Sequence, residues 1–253
     1  MPSIMLILNN PVNVVRRLSF QSTILRPSPF KRWAYFGLVL GIAVTIVLTS
    51  FLRLSLPVTI AIIAAALLLF LIRRLISVWT CRGHQLVFYH YFLTIVLVAA
   101  LSAWLSARPV LPYVDVTVIG FSVFIAIGRI GCLMVGCCHG RPARFGVCYH
   151  ARDVTAAFDR RFLGVRLFPI QVLESVWLFF IAAAGVYLIR SEYRPGVVFV
   201  WFILLYCPAR FFFEFLRWRP ASAYFLGLTE AQWTSSLLVI LLVVSWWKLF
   251  SVA

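Results

Sequence analysis

The chain has 253 residues, 23 Lys and Arg against 7 Asp and Glu, a net charge of +16, and 63% hydrophobic against 12% charged residues. A globular domain is about half apolar and a quarter charged, so this composition excludes a soluble globule and predicts an all-α polytopic membrane protein. The positive charge comes with no helix-turn-helix, zinc-finger or single-strand-binding pattern, so anionic membrane lipid is its expected partner and nucleic acid is not.

In chain order, Met1–Leu8 is apolar without a basic lead, so no cleavable signal peptide is expected. Arg16, Arg17, Arg26, Lys31 and Arg32 make residues 1–32 a basic interfacial segment. Residues 33–253 form the expected transmembrane domain, in which seven stretches approach the roughly 20 apolar residues that cross a bilayer. They are Trp33–Leu52, Leu56–Ile72, Leu86–Ala107, Val114–Gly136, Phe168–Ile189, Val197–Leu216 and Ala231–Val252. Between spans four and five the long polar connection is too rich in Arg, Gly, Phe and Tyr for a loose tether, which predicts a small surface head over 137–167. Lys and Arg concentrate in the N-terminal segment and the second, fourth and sixth loops, which puts the N-terminus in the cytoplasm.

Chemistry concentrates where the fourth span gives way to G-R-I-G-C-L-M-V-G-C-C-H-G-R-P, Gly128–Pro142. An arginine at membrane depth is costly unless paired or solvated, so Arg129 marks a site or a helix end from which it snorkels to the headgroups. Gly128, Gly131, Gly136 and Gly140 allow close approach of backbone or headgroup. Cys81 and Cys207 are isolated and read as small buried apolar residues. Cys132, Cys137, Cys138 and Cys148 are closer together, but C-x4-C-C-H fits no usual zinc spacing, so no metal or other cofactor is expected. A redox role for Cys132, Cys137 and Cys138 is the better reading of that set.

A second constellation lies in Y-C-P-A-R-F-F-F-E-F-L-R, where Tyr206, Arg210, Glu214 and Arg217 share one helix face. Asp115 falls about four helical turns before Arg129, and Glu174 lies early in the fifth span. These carboxylates are expected to face the arginines. The pattern reads either as a buried ion-pair network or as a clamp in which guanidinium forks grip a phosphate and the carboxylates Asp115, Glu174 and Glu214 orient them.

At these residues the chain resembles the prolipoprotein diacylglyceryl transferase family. The signature G-R-x-G-N-F-x-N-G-E-x-x-G-R-P is similar to Gly128–Pro142, matching at Gly128, Arg129, Gly131, Gly136, Gly140, Arg141 and Pro142. The family's Y-G-x-x-R-F-x-x-E-F-x-R resembles Tyr206–Arg217, its P-S-Q-L-Y-E resembles Pro169–Glu174, its upstream aspartate falls on Asp115, and its G-L-S-x-G-Q resembles Gly227–Gln232. The resemblance runs from about Tyr35 to the last span. Three departures stand out: H-G-G falls on Tyr89-His90-Tyr91, the signature asparagines become Cys132 and Val135, and its glutamate becomes Cys137.

The resemblance implies transfer of the diacylglyceryl group of phosphatidylglycerol to the thiol of a lipobox cysteine in a prolipoprotein, in a bacterial plasma (inner) membrane. Arg129 and Arg210 would stabilise the departing phosphate, with Arg141, Tyr206, Gly128, Gly131 and Gly140 binding the lipid. The thiol needs a base, for which His139 is first choice, ahead of His90 or Tyr89. His84 and His150 are expected to be solvated. Two other classes remain: a thiol-redox or metal-handling protein using Cys132, Cys137 and Cys138, and a non-catalytic phospholipid-binding bundle.

Overall fold

The structure, a computed structural model, describes residues 29–79, 88–151, 154, 158–191, 193–218 and 224–251. Arg16, Arg17, Arg26, Cys81 and His84 lie outside the described residues. Among the described residues seven α-helices follow one another: α1 (Pro29–Phe51), α2 (Leu56–Trp79), α3 (Phe88–Leu105), α4 (Val110–Met134), α5 (Ile170–Arg190), α6 (Val197–Leu216) and α7 (Glu230–Ser251). Strands β1 (Pro142–Cys148) and β2 (Arg166–Leu167) lie between α4 and α5, and the hairpin β3 (Tyr224–Phe225) and β4 (Leu228–Thr229) precedes α7.

Five helices, α1, α2, α4, α5 and α6, are long and apolar enough to cross a membrane, while α3 and α7 carry shorter apolar stretches, Tyr89–Leu105 and Glu230–Ser245. The chain is a polytopic helical membrane protein. The sixth expected span has the ends of α6, whereas the fourth is displaced at both ends. Helix α4 starts at Val110, behind an N-terminal Pro109, with Pro112 in the first turn where no backbone donor is required. It stops at Met134, and Gly136 follows with a φ of +71° that continues no right-handed helix.

Helix α4 is the centre of the bundle and packs on α1, α3, α5 and α6. Every residue from Pro112 to Val123 is buried, the signature of a helix surrounded by other helices. Its crossing with α1 is a small-residue contact. A Cβ on Gly120 would lie 2.6 Å from the Gly41 carbonyl oxygen and 2.0 Å from Thr45 Oγ1, so the two backbones touch where larger residues would hold them apart.

Asp115 overturns its expected place beside the arginines. Its carboxylate accepts hydrogen bonds from the Gly196 and Phe199 amides (2.6 and 2.8 Å) and from Tyr193 Oη (2.8 Å), so it caps the N-terminus of α6. Fourteen residues along α4 amount to about 21 Å, which carries Asp115 to the opposite end of the helix from Arg129. Helix periodicity gives a shared face, and only the helix ends decide a shared depth. Asp115→Ala strands two amides at a helix N-terminus and is expected to cost roughly 2 kcal/mol or more. A lowered thermal unfolding midpoint in detergent is the expected readout.

The predicted head contains β1 paired antiparallel to β2, with a bulged register between Pro142 and Val147. Tyr149, Phe158 and Leu167 form a small apolar cluster beneath it. Tyr149 Oη donates to the Leu133 carbonyl at 2.9 Å and fastens the head to the end of α4. Burial pushes the Tyr149 phenol up to about 12, so it remains a donor throughout the physiological range.

Candidate active site

Backbone hydrogen bonds join the two sequence motifs at the mouth of the bundle. The Gly140 amide donates to the Phe168 carbonyl (3.0 Å), Phe168 donates to Arg141 (3.0 Å), Arg141 to Leu216 (2.9 Å) and Trp218 to His139 (3.1 Å). The signature loop therefore lies between the start of α5 and the end of α6, with an isolated antiparallel bridge between Gly140 and Arg217. Backbone polar groups at a membrane boundary need internal partners, and these exchanges supply them.

Directly inside that seam, Glu174 collects the cations. Helix α5 puts Gln171, Glu174, Ser175 and Leu178 on one buried face. Gln171 Nε2 donates to the Cys137 carbonyl (2.9 Å) and Ser175 Oγ to the Ala126 carbonyl (2.8 Å), setting α5 against the end of α4. Glu174, fully buried, then accepts from Arg129 Nη2 (2.7 Å), Arg217 Nη2 (2.6 Å) and Tyr206 Oη (3.1 Å), with Arg210 Nε 3.7 Å away. Arg210 pairs with Glu214 one turn further along α6.

Three buried guanidiniums thus share two buried carboxylates, a surplus of one positive charge among these five groups. Arg129 Nε and Arg217 Nε have no hydrogen-bond partner among the described residues. A buried cation without full compensation is expensive, which favours a further anionic group beside these arginines. Arg129 lies five residues before the end of α4, so the cluster is only about 8 Å inside the helix end that carries the head.

The other expected site residues divide. Tyr89 is buried and its hydroxyl shares a hydrogen bond with Ser235 Oγ of α7, near Cys207 and Arg210, which puts it in the cluster's surroundings. His90, one residue on, turns outward, with Nε2 3.2 Å from exposed Glu230, and this corrects its expected place in the site. His139 is buried between Phe158 and Phe162, ring centroids 5.2 and 5.3 Å away. Its Nδ1 donates to the Gly140 carbonyl at 2.8 Å, leaving Nε2 as the basic atom of the neutral ring. Arg141 contributes backbone to the seam while its residue surface is exposed.

Among the glycines, Gly140 and Gly131 are spatially required. A Cβ on Gly140 would lie 2.6 Å from the Phe168 carbonyl oxygen, and one on Gly131 would press against Trp33 Cβ of α1 at 3.0 Å. Gly128 differs, since a Cβ there would meet nothing within 4 Å. Gly131 thus serves helix packing, and Gly128 borders open space beside Arg129.

The signature's cysteines converge, which their spacing did not suggest. Sγ atoms of Cys132, Cys137 and Cys138 lie within 4.8 Å of one another. Cys138 takes a left-handed φ of +57°, unusual for a non-glycine, and this folds the loop back toward Cys132. Hydrogen bonds from the Cys132 and Cys137 thiols, then the charges of Arg217 and Arg129, hold the Cys138 thiol well below the usual thiol range.

Sequence reasoning assigned no role to Gln171, Ser175 or Gln232. Gln232 forms a capping box with Thr229 at the start of α7: Thr229 N donates to Gln232 Oε1 (2.9 Å) and Gln232 N to Thr229 Oγ1 (3.3 Å). The T-x-x-Q pattern was the available signal. Arg217 appeared on the ionic face but outside the expected phosphate-binding set, and here it grips Glu174 directly.

A family profile for prolipoprotein diacylglyceryl transferase matches residues 36–248 and thereby covers the cluster, the seam and all seven helices in whole or large part. The chain belongs to the prolipoprotein diacylglyceryl transferase family. Its similar relatives include phosphatidylglycerol--prolipoprotein diacylglyceryl transferase 2 of Clostridium perfringens, 32% identical over 136 residues, covering 52% of this chain and 49% of that protein. The phosphatidylglycerol--prolipoprotein diacylglyceryl transferase of Dehalococcoides mccartyi is 32% identical over 129 residues, covering 51% and 48%, and that of Clostridium tetani is 29% identical over 113, covering 44% and 43%. The chain spans about half the length of the curated relatives it matches. No solved structure matches it significantly. The matched residues include Arg129, Arg210 and Arg217, the carboxylates Glu174 and Glu214, and the three converging cysteines.

Proposed function

We propose that this family member binds phosphatidylglycerol in a bacterial inner membrane and transfers its diacylglyceryl group to the thiol of a lipobox cysteine in a prolipoprotein. The observation that supports this reading is the buried group of three guanidiniums around Glu174, which with Glu214 balances only two of their charges. The acceptor sulfur attacks the glyceryl carbon that carries the phosphate. A C–S bond forms, the C–O bond to phosphate breaks, and glycerol phosphate leaves with the electron pair. Charge accumulates on the phosphate oxygens in the transition state, where Arg129 and Arg210 are fixed beforehand by Glu174 and Glu214, so little reorganisation accompanies reaction. Gly128 leaves room beside Arg129 for the headgroup.

The thiol proton goes to His139 Nε2. His139 is favoured over His90 because its Nδ1 is engaged by the Gly140 carbonyl within the seam, while His90 faces Glu230 outside. His139→Ala is expected to slow transfer about a hundredfold or more near neutral pH. Its rate should then climb with pH toward the ordinary thiol pKa of about 8.5, as solution hydroxide takes over. His90→Ala should keep the wild-type pH profile. Equal profiles for His139→Ala and wild type would exclude His139 as the base.

The direct test uses purified protein in detergent with labelled phosphatidylglycerol and a lipobox-cysteine peptide. Label is expected on the peptide thiol, and Arg129→Ala should reduce it by about a hundredfold or more while the protein remains folded. Unlabelled peptide with folded wild-type protein would refute the transfer reading. A lipid-binding bundle without catalysis would bind the headgroup and give that result.

A further inference from the structure

The three sulfurs that converge beside the arginine cluster are not needed for diacylglyceryl transfer, which has its anion site and base without them. Cys132 comes from the last turn of α4, and Cys137 and Cys138 come from the turn that enters the seam. Their Sγ atoms lie within 4.8 Å of one another. A cation bonded to three sulfurs at about 2.3 Å holds them about 4 Å apart, so closing this triangle requires a movement of less than about 1 Å.

We propose that Cys132, Cys137 and Cys138 form a three-thiolate site for Cu(I). Thiolates are soft ligands that select soft cations, and Cu(I) accepts trigonal sulfur coordination without a fourth donor. Structural zinc closes to four ligands, whereas among the described residues no fourth His, Cys or carboxylate joins the three sulfurs within 4.8 Å. Charge agrees with this choice. Binding displaces the thiol protons that remain and joins three thiolates to one Cu(I), which leaves two negative charges on the complex, facing the three guanidiniums. The charges of Arg217 and Arg129 act on the Cys138 sulfur, and Arg129 acts on that of Cys132. Arg129 and Cys132 are three residues apart on one helix face, which accounts for that proximity.

The test is a titration of the reduced full-length chain in detergent, without oxygen or lipid, with Cu(I) held by a competing bathocuproine chelator. One Cu(I) per chain is expected to transfer from the chelator to the protein. Changes in the outer shell of a metal site typically cost up to about a hundredfold in affinity, so removing a ligand by Cys132→Ser or Cys138→Ser should cost at least about that much. Cys148→Ser, outside the triangle, should leave binding unchanged. Maleimide labelling with peptide mapping reads the same site in unaltered protein: Cu(I) should shield Cys137 and Cys138 and leave Cys148 reactive. No uptake by folded protein, full affinity in Cys138→Ser, or equal shielding of Cys148 would each overturn the proposal. Because no lipid is present, its failure is separate from failure of the transfer reading.

Discussion

Glu174→Ala is expected to destabilise the bundle by about 3 to 5 kcal/mol, the usual consequence of leaving buried charge without its partner. Arg129 and Arg217 each lose their carboxylate hydrogen bond, and Tyr206 loses its acceptor. Glu214 remains as the carboxylate for three guanidiniums drawn from two helices and the residue after α6. Thermal unfolding in detergent should show a midpoint lowered by many degrees or no recoverable protein. Glu174→Ala combined with Arg217→Met should recover part of the loss, since one cation disappears with its partner and the methionine fills comparable space. A single variant that unfolds at the wild-type temperature would mean that the cluster is solvated and that Glu174 organises nothing.

Gly140→Ala is expected to abolish transfer, by about a hundredfold or more, with the helical bundle preserved. The added Cβ would stand 2.6 Å from the Phe168 carbonyl oxygen, 2.9 Å from Phe168 Cβ and 3.0 Å from the Leu216 carbonyl oxygen. Two of these neighbours are backbone atoms held by the seam, so a rotamer change gives no relief. The loop must shift away from both α5 and α6, carrying Cys138 and His139 with it. Misplacement by about 1 Å costs rate on this scale when groups must be aligned. Circular dichroism should report wild-type helix content beside the lost transfer. Full activity in Gly140→Ala would show that the seam tolerates displacement and that its alignment is not used.

Most of the fold was legible in the sequence because bilayer thickness imposes a length on apolar runs and α6 has that length from Val197 to Leu216. The arginine cluster was legible for a similar reason, since Tyr206, Arg210 and Glu214 follow helical periodicity, with Arg217 just beyond the last turn. Depth was harder to read. Asp115 shares a helix with Arg129 yet serves the far end, as the cap of a helix whose start was not known to lie there. His90 shows the complementary gap: adjacent to buried Tyr89, it is rotated by about 100° around α3 and emerges outside. The three cysteines were grouped from the sequence as a redox set, but their triangle was not, because ligand spacing rules assume ordinary turns and Cys138 sits in a left-handed conformation that spacing does not encode.

Gly140 and Arg141, where the chain enters the head, hydrogen-bond to Phe168, where it leaves. The intervening segment is therefore closed at its base by backbone hydrogen bonds, to which Tyr149, Phe158 and Phe162 within it add contacts to Leu133 and His139. Lengthening a closed loop costs free energy only logarithmically, about 0.6 kcal/mol per doubling. Insertions between Pro142 and Leu167 that leave Tyr149, Phe158 and Phe162 in place are therefore expected to cost little stability while Glu174 and its arginines stay in register.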